Sequence, residues 1–263
     1  MPFDRSDCAA LTQDALNTAL AANQAFDRKL FTAALDFEDL DCSGARFNDC
    51  VFESLSLHGT NFTGAEFTNC KLSEVRFASC DLAGAHFRKC HLFDADAKKG
   101  CIFTVCEMPS AEMNDCNFAD CAFERCDLYA VRASQSSFRG VRFKGSRFEK
   151  TVSKKVTLTR ATFEKCNFSY ADMSALSLRS CELTECKFSE TLFWDADLTD
   201  AVLTGAVIDR AEWDRAKLSG ADLCGASIAG LNLAVLADYA GLIVSRSQQH
   251  ELLREIGIDV RPD

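Results

Sequence analysis

Large apolar residues recur at every fifth position over most of the chain. The series runs Phe37, Cys42, Phe47, Phe52, Leu57, Phe62, Phe67, Leu72, Phe77, Leu82, Phe87 and Leu92. It slips by one residue and resumes as Phe103, Met108, Met113, Phe118, Phe123, Leu128, Ala133, Phe138, Phe143 and Phe148. After a gap at Ser153 it continues in phase from Leu158 through Phe163 and Phe168 to Leu233. Two residues before each stands something small, such as Ala45, Cys50, Ala65, Cys70, Cys116, Ala161 or Ala196, with polar residues around it.

A period of five fits neither the 3.6 of a helix nor the 2 of a strand. It fits a square coil in which each five-residue side turns one large and one small residue inward. Four sides close one coil of about 20 residues, and stacked coils put Phe on Phe and Cys on Cys. About 39 sides give roughly ten coils and a rod on the order of 45 Å long at the ~4.8 Å spacing of neighbouring strands. The expected fold is an all-β, right-handed quadrilateral β-helix over residues 35–234. A helical cap is expected over residues 1–34, where Asp7 to Ala22 reads as an Ala-rich helix, and a capping and dimerisation segment over 235–263.

The chain has 263 residues, 15 of them Cys and 21 Phe. Fifteen cysteines in a secreted protein would suggest a disulfide framework. The polar start Met1-Pro2-Phe3-Asp4-Arg5 has no apolar segment behind it, and no run is long enough to span a membrane. A cytoplasmic protein with reduced thiols is expected. Twelve cysteines occupy the small inward position, where they substitute for Ala, Ser or Thr. Consecutive sides face different walls, and no CxxC or clustered His accompanies Cys116, Cys121 and Cys126, so neither a metal nor a cofactor is expected. His58, His86, His91 and His250 are scattered, no phosphate loop is present, and a core filled by Phe and Leu leaves no substrate pocket. These features argue against an enzyme.

The departures from the period are the informative parts. A first loop, Phe93 to Gly100, holds Asp94, Asp96, Lys98, Lys99 and Gly100. A second, between Phe148 and Leu158, holds Lys150, Thr151, Val152, Ser153, Lys154, Lys155, Val156 and Thr157. Both sets are candidate partner-binding residues. At the end, Ser245 to Ile256 reads as a short helix stopped by Gly257, followed by a short strand Ile258-Asp259-Val260. Leu252, Leu253, Ile256, Ile258 and Val260 form its candidate dimer face, since so short a helix cannot stand alone in water.

The repeats Ala196-Asp197-Leu198-Thr199-Asp200 and Ala221-Asp222-Leu223-Cys224-Gly225 resemble the pentapeptide-repeat family. Within it the chain is similar to the Qnr proteins of quinolone resistance. The shared features are Cys90-His91-Leu92-Phe93-Asp94 followed by Lys99-Gly100-Cys101, a larger second loop, and the close Gln248-Gln249, Leu252-Leu253, Gly257 and Val260. Residues 1–36 depart from that pattern, because the family's rod begins nearer its N-terminus. The resemblance implies a homodimer joined through its C-terminal coils. It implies binding to bacterial DNA gyrase and topoisomerase IV, relief of quinolone poisoning, and a need for both loops.

Charge adds to this. The formal net charge is −10, with 39 acids and 29 bases, a poor balance for binding nucleic acid directly. Counting in twenties, with one step at the first loop, collects Glu53, Glu74, Asp94, Glu112, Asp115, Asp172, Asp195, Glu212 and Asp214 on one face. Only Lys71, Arg132 and Arg215 oppose them there. A rod lined with carboxylates would mimic duplex phosphate for an enzyme with a basic groove. The competing expectation is an interaction scaffold or toxin-immunity protein unrelated to gyrase.

Overall fold

A computed structural model describes residues 5–153, 156–255, 257–259 and 261. The chain winds into the expected four-sided coil, every side laid parallel on the side of the coil below. One face stacks Phe26, Phe47, Phe67, Phe87, Met113, Ala133, Phe163 and Leu183, with Leu203 and Leu223 in line beyond. About nine turns separate Phe26 from Leu223. In chain order the faces are the first through Phe52, the second through Leu57, the third through Phe62 and the fourth through Phe67.

Stacking puts identical rings in van der Waals contact. Phe47, Phe67 and Phe87 lie nearly parallel with centroids 4.9 and 4.8 Å apart, and Phe77, Phe103 and Phe123 repeat this at 4.6 and 4.8 Å. The offset comes from the strand spacing itself, so the backbone ladder and the ring ladder share one repeat. Below each ring the small residue completes the layer. The thiols of Cys70 and Cys90 donate to the carbonyls of Phe47 and Phe67, each at 3.2 Å. In the same column Ser136 takes the place of Cys and its hydroxyl donates to Met113. Among the described residues no three His, Cys, Asp or Glu side chains gather as a metal site, and no helix is long and apolar enough to cross a membrane.

The rod starts earlier than the period suggests. Phe26 pairs with Phe47 and Phe31 with Phe52, so residues 26–32 already form coil sides. Phe31 and Phe37 are six apart, and that extra residue hides the first coil from a five-residue count. The N-terminal helix is shorter than expected. Ala9–Ala10 is a strand on Lys29–Leu30, and only Gln13–Ala21 (α1) is helical, capped by Thr12 Oγ1 accepting from Ala15 N. Leu16 of α1 is fully buried on the first coil. At the other end Asp238 and Ile243 pair with Lys217 and Asp222, so the coil runs past Leu233, again with one extra residue.

Both open ends are closed by a glutamine amide. Gln13 Oε1 accepts from Asp36 N at 2.8 Å while its Nε2 donates to Asp36 O at 3.0 Å. The buried Gln248 Nε2 donates to the carbonyls of Leu223 and Ala226 at 2.7 and 2.8 Å. Each side chain supplies the peptide-like partners that the missing next coil would have given. Ser245 N and Oγ both donate to Gln248 Oε1, and the short helix Gln249–Glu255 (α2) follows.

All fifteen cysteines are free thiols, thirteen of them buried, with Cys8 and Cys224 half-buried. Burial pushes the thiols of Cys42, Cys101 and Cys181 up to about 12, so they stay protonated and unreactive at neutral pH. Titration of the native protein with a disulfide reagent is expected to reach Cys8 and Cys224 first. Denaturant without reductant should then expose all fifteen; a shortfall of two or more would mean disulfides.

Candidate functional site

Both sequence-predicted loops are antiparallel hairpins inserted into the coil. The first joins Phe93–Asp94 to Lys99–Gly100 and leaves the corner between the first and second faces. Phe77 pairs with Phe103, twenty-six residues on, so this hairpin adds six residues to its coil. The second joins Glu149–Ser153 to Val156–Thr159 and leaves the opposite corner, between the third and fourth faces. Ala133 pairs with Phe163, thirty residues on, so this insertion is ten residues, two whole repeats. The coil therefore resumes in step with the five-residue count, although Leu158, in phase by arithmetic, is 46% exposed on the hairpin instead of in the core. The two hairpins stand about two and a half coils apart, on the order of 12 Å along the rod.

In the first hairpin the turn is held by Asp94, whose Oδ1 accepts from Asp96 N and Ala97 N, each at 2.9 Å. The Ala97 N–H above all, and then that of Asp96, hold its carboxyl below the usual range. Lys98 takes a positive φ of 52°, and Lys99 Nζ reaches Glu74 at 3.3 Å. Asp94 thus shapes the loop, leaving Asp96 and Lys98 exposed and without a salt bridge among the described residues. In the second hairpin Thr151, Val152, Ser153, Val156, Thr157 and Leu158 are all exposed, and Lys150 Nζ sits 5.8 Å from the Tyr129 ring centroid. Lys154 and Lys155 lie outside the described residues.

The single acidic face is not what the coil builds. Each hairpin shifts the count, so the nine carboxylates fall on three faces. Glu53, Glu74 and Asp94 stand on the first, Glu112 and Asp115 on the fourth, and Asp172, Asp195, Glu212 and Asp214 on the second. Four of the nine are also neutralised by a base on another coil or loop. Glu53 meets Arg5 at 2.7 Å, Glu74 meets Lys99, Glu112 meets Arg132 at 2.7 Å, and Asp195 forms a two-pronged pair with Arg215. Burial opposes ionisation of Glu112, but Arg132 and His86 outweigh it and keep the carboxyl below its usual range. Glu212 accepts from Trp194 Nε1 at 2.9 Å.

The expected dimer residues divide similarly. Leu252 packs on the core of its own rod, and Leu253 is half-buried. Ile258 is 48% exposed but belongs to no strand; its N–H returns to the Leu253 carbonyl at 2.8 Å, closing α2 after the positive-φ Gly257. Ile256 and Val260 lie outside the described residues. Sequence reading missed Val235, Tyr239 and Ile243, exposed apolar residues on the last partial coil, because the extra residue after Gly230 breaks the period there.

The model of pentapeptide repeats (8 copies) matches residues 36–69, 70–104 and 111–152, and that of a pentapeptide repeat region matches 156–233. This chain belongs to the pentapeptide-repeat family. Among solved structures, this pentapeptide-repeat protein is similar in fold to full-length QnrB1, a plasmid-mediated fluoroquinolone resistance protein. The TM-score is 0.75 at 22% identity, covering 81% of this chain and 99% of that one. A trypsin-treated form of QnrB1 gives 0.75 at 23% identity over the same shares. HetL, a pentapeptide repeat protein involved in heterocyst differentiation regulation from the cyanobacterium Nostoc, gives 0.49 at 18% identity, covering 89% of this chain and 92% of that one. No curated protein matches the sequence.

Within this pentapeptide-repeat rod the first hairpin is seated by one glycine. A Cβ on Gly100 would lie 2.4 Å from Cys121 N and 2.6 Å from Ala119 O, both backbone atoms of the next coil. Gly100→Ala must therefore push the hairpin off the rod or spread the coils, and a loss of about 1–3 kcal/mol is expected. Equilibrium denaturation checks this, and an unchanged midpoint would show that the hairpin floats free of the coil beneath it.

Proposed function

We propose that this protein binds bacterial type II topoisomerases, DNA gyrase and topoisomerase IV, and protects them from quinolone poisoning. The observation that carries the reading is a solid rod whose only large departures, among the described residues, are two hairpins at opposite corners. That architecture accompanies a fold likeness spanning 99% of a fluoroquinolone resistance protein. The inward positions are filled by buried Phe, Leu, Met and Cys, so the working surface is the outside. The second hairpin supplies protein-binding character through exposed Val152, Val156 and Leu158 beside Lys150 and hydroxyl residues, and the first supplies Asp96 and Lys98. Apolar side chains ringed by polar ones suit a protein interface better than a nucleic-acid one. Carboxylates spread over three faces, four of the nine paired with bases, do not support duplex mimicry, so the reading rests on the hairpins. It includes no enzymatic step and places the protein in the cytoplasm with its target.

The same reading makes the protein a homodimer joined at its C-terminal end, where Tyr239, Ile243 and Ile258 are each about half-exposed. Replacing Leu253 and Ile258 together by Asp should leave the rod folded and halve the mass in sedimentation, since neither side chain fills the core. A dimer of unchanged affinity would place the joint elsewhere.

Deleting residues 150–157 should leave the unfolding midpoint within a few degrees, because exposed hairpins contribute little packing. The same deletion should abolish restoration of gyrase supercoiling in the presence of a fluoroquinolone. Equal protection by intact and shortened protein would reduce the hairpin to a tolerated insertion. No protection by the intact protein would favour the scaffold or immunity alternative.

A further inference from the structure

Positive charge is concentrated in the stretch of chain that leads into and out of the second hairpin. Between Arg139 and Arg160 the sequence holds eight bases and one acid, in a chain of net charge −10. One coil carries half of them: Arg139 at the edge of the first face, Arg142 and Lys144 on the second, and Arg147 on the third. Arg147 is paired with Asp127 at 3.0 Å. Arg139, Arg142 and Lys144 are exposed and make no salt bridge among the described residues, and neither does Arg125, one coil earlier on the second face. Elsewhere some bases are paired, such as Arg132, Arg210 and Arg215, and others, such as Arg76 and Lys187, are not; here four unpaired ones share two neighbouring coils.

The surface beside them is shaped. The strand ladder of the second face ends at Arg142–Lys144, and the next side, around Met173, is a tight turn touching it through one bridge, Arg142 with Asp172. The change from strand to turn leaves a groove of about 320 Å³ lined by Glu124, Arg142, Phe143, Lys144, Asp172 and Ser174. Inside it the Ser174 hydroxyl is buried with no hydrogen-bond partner among the described residues. A hydroxyl that lines the groove without a partner on its own chain is available to a bound group. At the edge Arg139 Cζ stands over the Tyr170 ring, 4.7 Å from its centroid, a cation–π contact that helps to order the guanidinium.

We propose that this groove and its cations are a docking site for an acidic polypeptide segment. Unpaired guanidinium groups match spaced carboxylates in a two-pronged geometry, and the Ser174 hydroxyl adds a donor between them. A duplex fits less well. Its phosphates run continuously, and Glu124 and Asp172 in the groove, together with the overall negative charge, oppose them. A chain with carboxylates at intervals threads past those two acids. The site lies on the second face, which does not meet the second hairpin's corner, so it engages its partner separately from that hairpin.

The test uses the full protein, with no topoisomerase present, and a short fluorescein-labelled peptide of alternating Glu and Ser, read by anisotropy at low salt. Binding should weaken as salt rises. Arg142→Glu with Lys144→Glu should weaken it at least about tenfold, as expected for lost charge pairs. Lys187→Glu with Arg210→Glu, the same charge change elsewhere, should alter it less than about twofold, with the circular dichroism of both variants unchanged. Absence of peptide binding, or equal weakening by the two pairs, overturns the proposal. Tighter binding of a labelled DNA duplex than of the peptide overturns the choice of partner.

Discussion

The coil exists because one spacing serves two ladders at once. Neighbouring strands sit about 4.8 Å apart, and that is also a comfortable separation for offset aromatic rings and for a thiol beneath a carbonyl. A side with a large residue at its centre and a small one two places earlier therefore fits on any other such side. Nothing else in the rod is so constrained. Outward positions carry Asp, Lys, Ser or Trp alike, and the corners accept positive φ in Asp49, Lys89, Arg125 and many other non-glycine residues. Each coil is stabilised only by its neighbours, which is why the two ends need glutamine amides to stand in for a missing coil.

That same spacing explains what an insertion can do. A hairpin leaving a corner adds residues without disturbing the ladders, provided the chain returns to the next face. Six extra residues at the first hairpin and ten at the second satisfy this. The consequence for charge is large. A rod that was acidic along one side by simple counting becomes one whose carboxylates are distributed over three faces, four of the nine paired with Arg or Lys. The surface features left over are the two hairpins, the apolar end near Ile243, and a cationic groove in the coil that bears the larger hairpin.

Much of this was legible in the sequence, for a physical reason. The fold repeats a local rule, so the run of Phe and Leu from Phe37 to Leu233 announces it without long-range information. Legibility failed wherever the repeat was off by one. Phe26 and Phe31 were lost behind the six-residue step to Phe37, and Tyr239 and Ile243 behind the extra residue after Gly230. Leu158 fell in phase yet stands on a hairpin, because ten inserted residues leave a five-residue count unchanged. The face of each carboxylate depended on the sizes of both insertions, and those are visible only in the pairing. The cluster from Arg139 to Arg147 was readable as a run of bases, but its lack of partners was not.

The central claim is that the ring ladder and the backbone ladder hold the rod together jointly. The most direct measurement is the stability of Phe67→Ala by equilibrium denaturation. Phe67 is buried in the fourth face, stacked between Phe47 and Phe87. Removing its ring should cost about 3–5 kcal/mol and loosen the two coils on either side, because no neighbour can move sideways to fill the gap. A loss below about 1 kcal/mol, the range of an ordinary surface change, would contradict the account and leave the backbone ladder as the sole support.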